Sequence, residues 1–244
     1  VYTEEIDVQK FTDPVFPPTK ASIFDGAAND HKGMLTKDEV AVLKKTSFKR
    51  ISDLKQNIKV FDKINPDDIH QGDLVNCYFM SGVSALAEFP KWVESCFITK
   101  TANEEGKYIV WLYDDGVLKH IPLDDHFPWD GKKFNFSHCK GNKENEIWVH
   151  LLEKAWAKLC GSYAKSIAGN EYESLTALIG APTETIYHEN VTEKQLWTKI
   201  KNADESKYVM TCGIGGGNTE EENSLGLFTG HVYTLIGAFE SNGI

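Results

Sequence analysis

Between Ile147 and Cys160 the residues Trp148, Leu151, Leu152, Ala155, Trp156 and Leu159 recur at three- and four-residue spacing, and Gly161 follows. This periodicity predicts an amphipathic helix closed by glycine, with one apolar face that has to be buried. A second element of comparable strength lies upstream. Residues 107–113 (KYIVWLY) and 117–123 (VLKHIPL) are β-rich runs joined by Asp114-Asp115-Gly116, a strong hairpin signal. Helix and hairpin together make the chain a mixed α and β protein.

Two more helices read from pattern. Residues 36–45 (TKDEVAVLKK) carry a threonine cap and a short amphipathic run. From Tyr78 to Phe89 the residues Phe79, Met80, Val83, Leu86 and Ala87 repeat at helical spacing, with Pro90 as the stop. Residues 1–35, punctuated by Pro14, Pro17, Pro18, Gly26 and Gly33, read as an extended arm. The texture changes around Gly169 to Pro182. Segments 206–212 and 231–239 read as strands on either side of a Gly-rich, acidic loop, GIGGGNTEEENS. The expected organisation is a helical first lobe over 1–168, with the N-terminal arm, and the start of a β-rich second lobe over 169–244.

The chain of 244 residues carries 26 basic and 36 acidic residues, a formal charge of −10. That balance argues against a nucleic-acid partner, which needs a basic face. No apolar stretch approaches the ~18 residues of a membrane span, and the first residues contain no apolar signal core. Five cysteines, an odd number with no C-x-x-C pair, favour a reducing compartment and a cytoplasmic location.

One cysteine stands apart. In Gln71-Gly-Asp-Leu-Val-Asn-Cys-Tyr-Phe-Met-Ser81, Cys77 follows a Gly-containing turn and opens the helix predicted from Tyr78. Unpaired N–H groups and the positive end of the helix dipole at such a position favour the thiolate. A nucleophilic thiol needs a base, and imidazole serves near neutral pH. His231, directly after Gly230 and at the mouth of a predicted strand, is the leading candidate; His70 and His138 are the alternatives. Gln71 supplies a side-chain N–H for an oxyanion. The acidic stretch Asp25 to Glu39 lacks EF-hand spacing. Glycines 213, 215, 216 and 217 follow a strand, but without the lysine or helix of a phosphate loop. No His/Cys group has zinc spacing. Asp67, Asp68, Glu144 and Glu146 are oxygen donors suited to calcium if the fold gathers them.

Taken together, these blocks resemble the calpain family of cysteine proteases. Gln71 to Met80 matches most of the family's Gln-Gly-x-Leu-Gly-Asp-Cys-Trp-Phe-Leu motif. FTDPVFPPT at 11–19, Phe48-Lys-Arg50, Pro66-Asp-Asp-Ile69 and Leu123-Asp-Asp125 with Pro128 match further family segments in order. So do Leu151-Leu-Glu-Lys-Ala-Trp-Ala-Lys158, Gly161-Ser-Tyr163 and Leu225-Gly-Leu-Phe-Thr-Gly-His-Val-Tyr233.

The resemblance implies an α+β, papain-like core with a helical first lobe and an incomplete β-rich second lobe. It implies a calcium-dependent endopeptidase acting on protein substrates by limited proteolysis, with regulatory domains or subunits outside this chain. Cys77 would be the nucleophile, His231 its base and later acid, and Gln71 with the Cys77 N–H the oxyanion hole. In related sites the paired thiol falls to ~3–4, giving a thiolate–imidazolium pair. Asp68 and Glu146, with carbonyls near Phe61 and Lys63, would bind calcium. The chain departs from the pattern in three places. Val75-Asn76 replaces Gly-Asp, which predicts an altered or strained turn. Tyr78 replaces tryptophan. The family's third catalytic residue, an asparagine in Asn-Pro-Trp, has no match before Ile244, and Asn242 has the wrong context; the piece alone is therefore expected to be weak or inactive. The alternative reading is a degenerate domain of the same family used for binding or scaffolding. A calcium-independent papain-like hydrolase would leave Asp68 and Glu146 unexplained.

Overall fold

The computed structural model describes residues 9–24, 35–140, 145–215 and 222–241. The acidic run 25–34, Glu144, Gly216, Gly217 and Asn242, all weighed above, lie outside the described residues. The helices are α1 (Lys20–Ile23), α2 (Lys37–Lys45), α3 (Cys77–Ala87), α4 (Pro90–Ser95), α5 (Trp148–Cys160), α6 (Glu171–Ile179) and α7 (Glu193–Glu205). The strands are β1 (Ser47–Arg50), β2 (Ile69–His70), β3 (Lys107–Asp114), β4 (Val117–Asp124), β5 (His126–Trp129), β6 (His138–Cys139), β7 (Met210–Ile214) and β8 (His231–Leu235). They form four antiparallel pairs, β1–β5, β2–β6, β3–β4 and β7–β8. The fold is mixed α+β. Among the described residues no helix is long and apolar enough to cross a membrane.

Local chemistry accounts for the strongest elements. Thr36 and Glu39 close a full capping box on α2, which satisfies two otherwise orphan N–H groups. Asp115 and Gly116 both take positive φ, the geometry of the two-residue turn that matches strand twist. Gly161 ends α5 in the left-handed conformation at φ 98°. Pro90 does not simply stop α3: it begins α4 from the first turn, where a missing N–H costs nothing. Ahead of the β7–β8 pair, the stretch after Gly169 contains two helices, α6 and α7, that the periodicity did not mark. Each starts with a capping box, Asn170 with Glu173 and Thr192 with Gln195.

The main core lies where α3 and α5 meet the β3–β4 hairpin. Phe79, Val83 and Leu86 of α3 pack with Trp148, Leu151 and Leu152 of α5 and with Val110, Leu112, Ile121 and Leu123 of the hairpin. Fully burying each such side chain stabilises by roughly 1.5–3 kcal/mol. Leu178 of α6 joins this cluster. A second cluster, including Phe16, Ile23, Leu43, Leu74, Phe136 and Tyr163, docks the N-terminal arm under α5. The stretch Trp148–Ala157 buries more than its apolar stripe, because His150, Glu153 and Lys154 are buried too.

Candidate functional site

Cys77 is the first residue of α3, an eleven-residue helix held in the core by its apolar face. The helix start is built by the segment before it. Ile69 and His70 pair with Cys139 and His138, so β2 delivers the chain to Gln71. Gly72 then turns at φ 73°. It packs so closely on the backbone just before β6 that an added Cβ would stand 2.5 Å from Asn135 O and 2.6 Å from Phe136 O. Val75 is not among the residues of positive φ, so the strain expected from a β-branched residue at this position does not arise. Gly72 carries the left-handed geometry instead.

Asn76 caps α3 through its backbone only. Phe79 N–H and Met80 N–H donate to Asn76 O at 2.9 and 3.1 Å. Its side chain makes no cap; it is fully buried and donates from Nδ2 to Glu153 Oε1 at 2.9 Å. The polar group that ordinarily satisfies the first N–H groups of a helix is thereby turned inward, away from Cys77. The next residues fix the helix sideways. Trp156 Nε1 donates to the Tyr78 hydroxyl at 2.8 Å, that hydroxyl donates to Ser166 O at 2.9 Å, and Phe79 stacks on Trp156. Tyr78 thus fills its position as a hydrogen-bonded aromatic.

Gln71 is half-buried beside this turn. Its Nε2 donates to Leu74 O at 2.9 Å, and its backbone carbonyl accepts from Ser137 Oγ at 2.8 Å. An amide nitrogen has two hydrogens, so one remains for an oxyanion while the other orients the group.

His231 opens β8, directly after Gly230, whose N–H donates to Ile214 O at 2.8 Å. The imidazole is half-buried and lies edge-on to Tyr233 at 4.9 Å between centroids. Further along the strand, Thr234 Oγ1 donates to Ser81 O at 3.1 Å. Ser81 is one helical turn beyond Cys77, so this bond ties the strand that begins with His231 to the first turns of the helix that begins with Cys77. The alternative bases are used elsewhere. His70 and His138 face each other across β2–β6, 4.8 Å apart, and His138 Nδ1 bonds Phe136 O.

The five cysteines form no disulfide. Burial pushes the thiols of Cys96 and Cys160 up to about 12 and raises that of Cys212. Those three are poor thiolate sources. Cys77 alone stands at the N-terminus of a helix.

The two acidic candidates come from different segments: Asp68 ends the loop 59–68, and Glu146 lies just before α5 and bonds that loop. Glu146 is buried, and its Oε2 accepts from Asp62 N–H at 3.0 Å. Backbone bonds from Ile147 N to Lys59 O and from Trp148 N to Val60 O, each 3.0 Å, hold the two segments together. Asp68 lies a few residues on, in the turn Pro66–Asp68, and its carbonyl accepts from Lys140 N–H at 2.7 Å. Phe61 and Lys63 fall between these anchors. Two carboxylates and backbone carbonyls would be an all-oxygen donor set, the kind calcium takes. Among the described residues no group of three or more His, Cys, Asp or Glu side chains gathers as a metal site, so any ion there would depend on those carbonyls.

Spacing in the sequence did not single out Ser137 and Glu153, which hold Gln71 and Asn76. Glu153 falls outside the apolar stripe of α5, and its burial beside the turn is visible only in three dimensions.

A profile described as "Calpain family cysteine protease" matches residues 11–243. The chain is 28% identical over 250 residues to "Calpain-type cysteine protease ADL1" of Oryza sativa subsp. japonica, covering 96% of this chain and 11% of that protein. It is 30% identical over 246 residues to "Calpain-5" of Caenorhabditis elegans, covering 93% of this chain and 36% of the relative. To "Calpain-14" of Homo sapiens it is 30% identical over 233 residues, 93% of this chain and 32% of the relative. The chain spans about a tenth of the plant relative's length and about a third of the animal ones.

Proposed function

The chain belongs to the calpain family of cysteine proteases, and on that premise we propose that it is the core of a calcium-dependent endopeptidase with Cys77 as nucleophile and His231 as its base. The observation that carries this reading is the pairing of a cysteine at a helix N-terminus with a histidine-led strand tied to the same helix at Ser81. Helix dipole and imidazole both favour the thiolate. The Cys77 Sγ attacks a peptide carbonyl, and the amine leaves with a proton from the His231 imidazolium. His231 then takes a proton from water, which hydrolyses the thioester and restores the pair. The Cys77 N–H and the second hydrogen of Gln71 Nε2 face the oxyanion. The two-lobed papain-like arrangement, the intracellular setting and limited proteolysis of exposed protein segments belong to the same proposal.

Asp68, Glu146 and the carbonyls of Phe61 and Lys63 would hold the calcium ion. Bound there, the ion would supply a cross-link between the loop 59–68 and the start of α5, neutralising two carboxylates. The inward turn of the Asn76 amide gives the replacement of Gly-Asp a structural role, which weighs against the scaffolding reading.

The test uses the full-length protein and a thiol-directed peptide epoxide. Calcium-enhanced labelling of Cys77, absent in Cys77→Ser, supports the reading; labelling that ignores calcium, or that persists in Cys77→Ser, overturns it. Asp68→Ala combined with Glu146→Ala should shift the calcium titration to higher concentration, and an unchanged titration removes the metal assignment. Gln71→Ala is expected to lower kcat/KM on the order of 10²–10³-fold with the fold retained. A loss below tenfold in a folded variant would remove Gln71 from the oxyanion hole.

A further inference from the structure

We infer that Glu153 is a positioning residue that acts in its protonated form, setting Gln71 and the Asn76–Cys77 turn through one chain of hydrogen bonds; this rests on the reading of Cys77 and Gln71 given above.

Glu153 is 1% exposed. Its Oε1 lies 2.9 Å from Asn76 Nδ2 and 2.6 Å from Ser137 Oγ, and its Oε2 accepts from Ser137 N–H at 3.1 Å. The same Ser137 Oγ lies 2.8 Å from Gln71 O. A hydroxyl has one hydrogen. With Glu153 ionised, that hydrogen is contested by two acceptors. Given to Glu153, it leaves the Gln71 carbonyl without this donor. Given to Gln71, it leaves a carboxylate and a hydroxyl oxygen 2.6 Å apart with no proton between them. One more proton resolves the conflict. Glu153 Oε1–H donates to Ser137 Oγ, Ser137 O–H donates to Gln71 O, Asn76 donates to Oε1, and the Ser137 N–H donates to Oε2. Every short contact then holds one hydrogen, and 2.6 Å is an ordinary O–H···O length.

The surroundings do not hold Glu153 as an anion. Around the same tight gap stand Phe127, Phe134, Phe136, Tyr163 and His150. Burial pulls His150 down to about 3 and raises Tyr163, so both are neutral there. His138, beside Ser137, turns Nδ1 to Phe136 O. Lys154, the next residue on α5, directs its ammonium to Asp124. Burial pushes the Glu153 carboxyl up to about 7, while the bonds from Ser137 and Asn76 pull it down.

The consequence is an alkaline limb on activity. As Glu153 ionises, Ser137 turns from Gln71 toward Glu153, the Asn76 bond changes character, and the oxyanion donor and the nucleophile's helix start both shift. The experiment measures kcat/KM and Cys77 labelling against pH in saturating calcium, on the full-length protein and its Glu153→Gln and Glu153→Leu variants. A glutamine amide supplies the Ser137 donor at every pH, with the Asn76 amide reversed so that its Oδ1, which has no partner among the described residues in the parent, accepts from the glutamine nitrogen. Glu153→Gln should therefore stay within about tenfold of the parent at pH 6 and lose the fall near neutral pH. Glu153→Leu, which keeps bulk but no hydrogen bond, should lose on the order of 10²-fold. A Glu153→Gln variant that retains the parent's fall, or that loses as much as Glu153→Leu at pH 6, overturns the proposal. Infrared difference spectra between the parent and Glu153→Gln in a Cys77→Ser background give a second reading. A protonated carboxyl band at pH 6 that disappears at high pH supports the proposal, and its absence at pH 6 overturns it. That measurement needs no activity, so it separates a failure of this inference from a failure of the catalytic assignment.

Discussion

Lys154→Met is expected to destabilise the fold by about 3–5 kcal/mol, the cost of leaving a buried partner charge uncompensated. Lys154 is fully buried, and its ammonium donates to Asp124 Oδ1 at 2.6 Å, Asp124 O at 3.0 Å and His126 O at 2.7 Å. Asp124 is equally enclosed, and its Oδ2 accepts from Asp13 N–H at 2.7 Å. Burial would raise the Asp124 carboxyl, but contacts with His126 and Lys154 outweigh it and hold it well below the usual carboxylate range. The two side chains meet inside the fold at 2.6 Å, and methionine keeps the volume while removing all three bonds of the ammonium, leaving Asp124 its donors from Asp13 and His126. The damage should spread to the N-terminal arm, because Asp13 also receives Lys158 at 2.6 Å. In urea unfolding the midpoint should fall with little change in slope, and Tm should drop by roughly 10 °C for a chain of this size. A loss under 1 kcal/mol would mean that the pair is not the internal tie it looks to be.

The same helix shows what the sequence can and cannot disclose. Its length, its glycine stop and its apolar stripe follow from periodicity, and all three appear in α5. Its buried ionisable residues do not follow. Glu153 and Lys154 look like ordinary polar positions until β4 brings Asp124 to one of them and the turns at Ser137 and Asn76 come to the other. The short ladders had no signal either. β1 finds β5, and β2 finds β6, across some seventy residues of chain, and two to four residues carry too little alternation to read. Helices α6 and α7 do carry a local signal: the Asn170/Glu173 and Thr192/Gln195 capping pairs mark both starts.

The candidate site divides in the same way. A cysteine at a helix start and a histidine at a strand mouth are local features, and both sit where the pattern puts them. How the turn before Cys77 accommodates Val75 and Asn76 is not local. It depends on Glu153 from α5 and on the backbone at 135–136, which meet that turn only after folding.

Gly72→Ala is accordingly expected to be the most damaging single methyl group in the turn. Two separate effects act there, and the molecule contains a control for one of them. Gly72 and Gly116 have the same φ, 73°. Around Gly116 an added Cβ meets nothing within 4 Å, whereas at Gly72 it would sit 2.5 Å from Asn135 O and 2.6 Å from Phe136 O. Gly116→Ala thus reports the left-handed penalty alone, about 1–2 kcal/mol. Gly72→Ala adds a collision with backbone, which no side-chain rotation relieves. Either the β2–β6 region opens or Gln71 and Leu74 move away from Ser137. Displacing catalytic groups by about 1 Å costs on the order of 10² in rate. Gly72→Ala should therefore lose at least that much kcat/KM and clearly more stability than Gly116→Ala, which should keep its activity. Equal stability losses with full activity in both would show that the turn at Gly72 yields freely, and that its close approach to residues 135–136 does not set the geometry of Gln71 and Cys77.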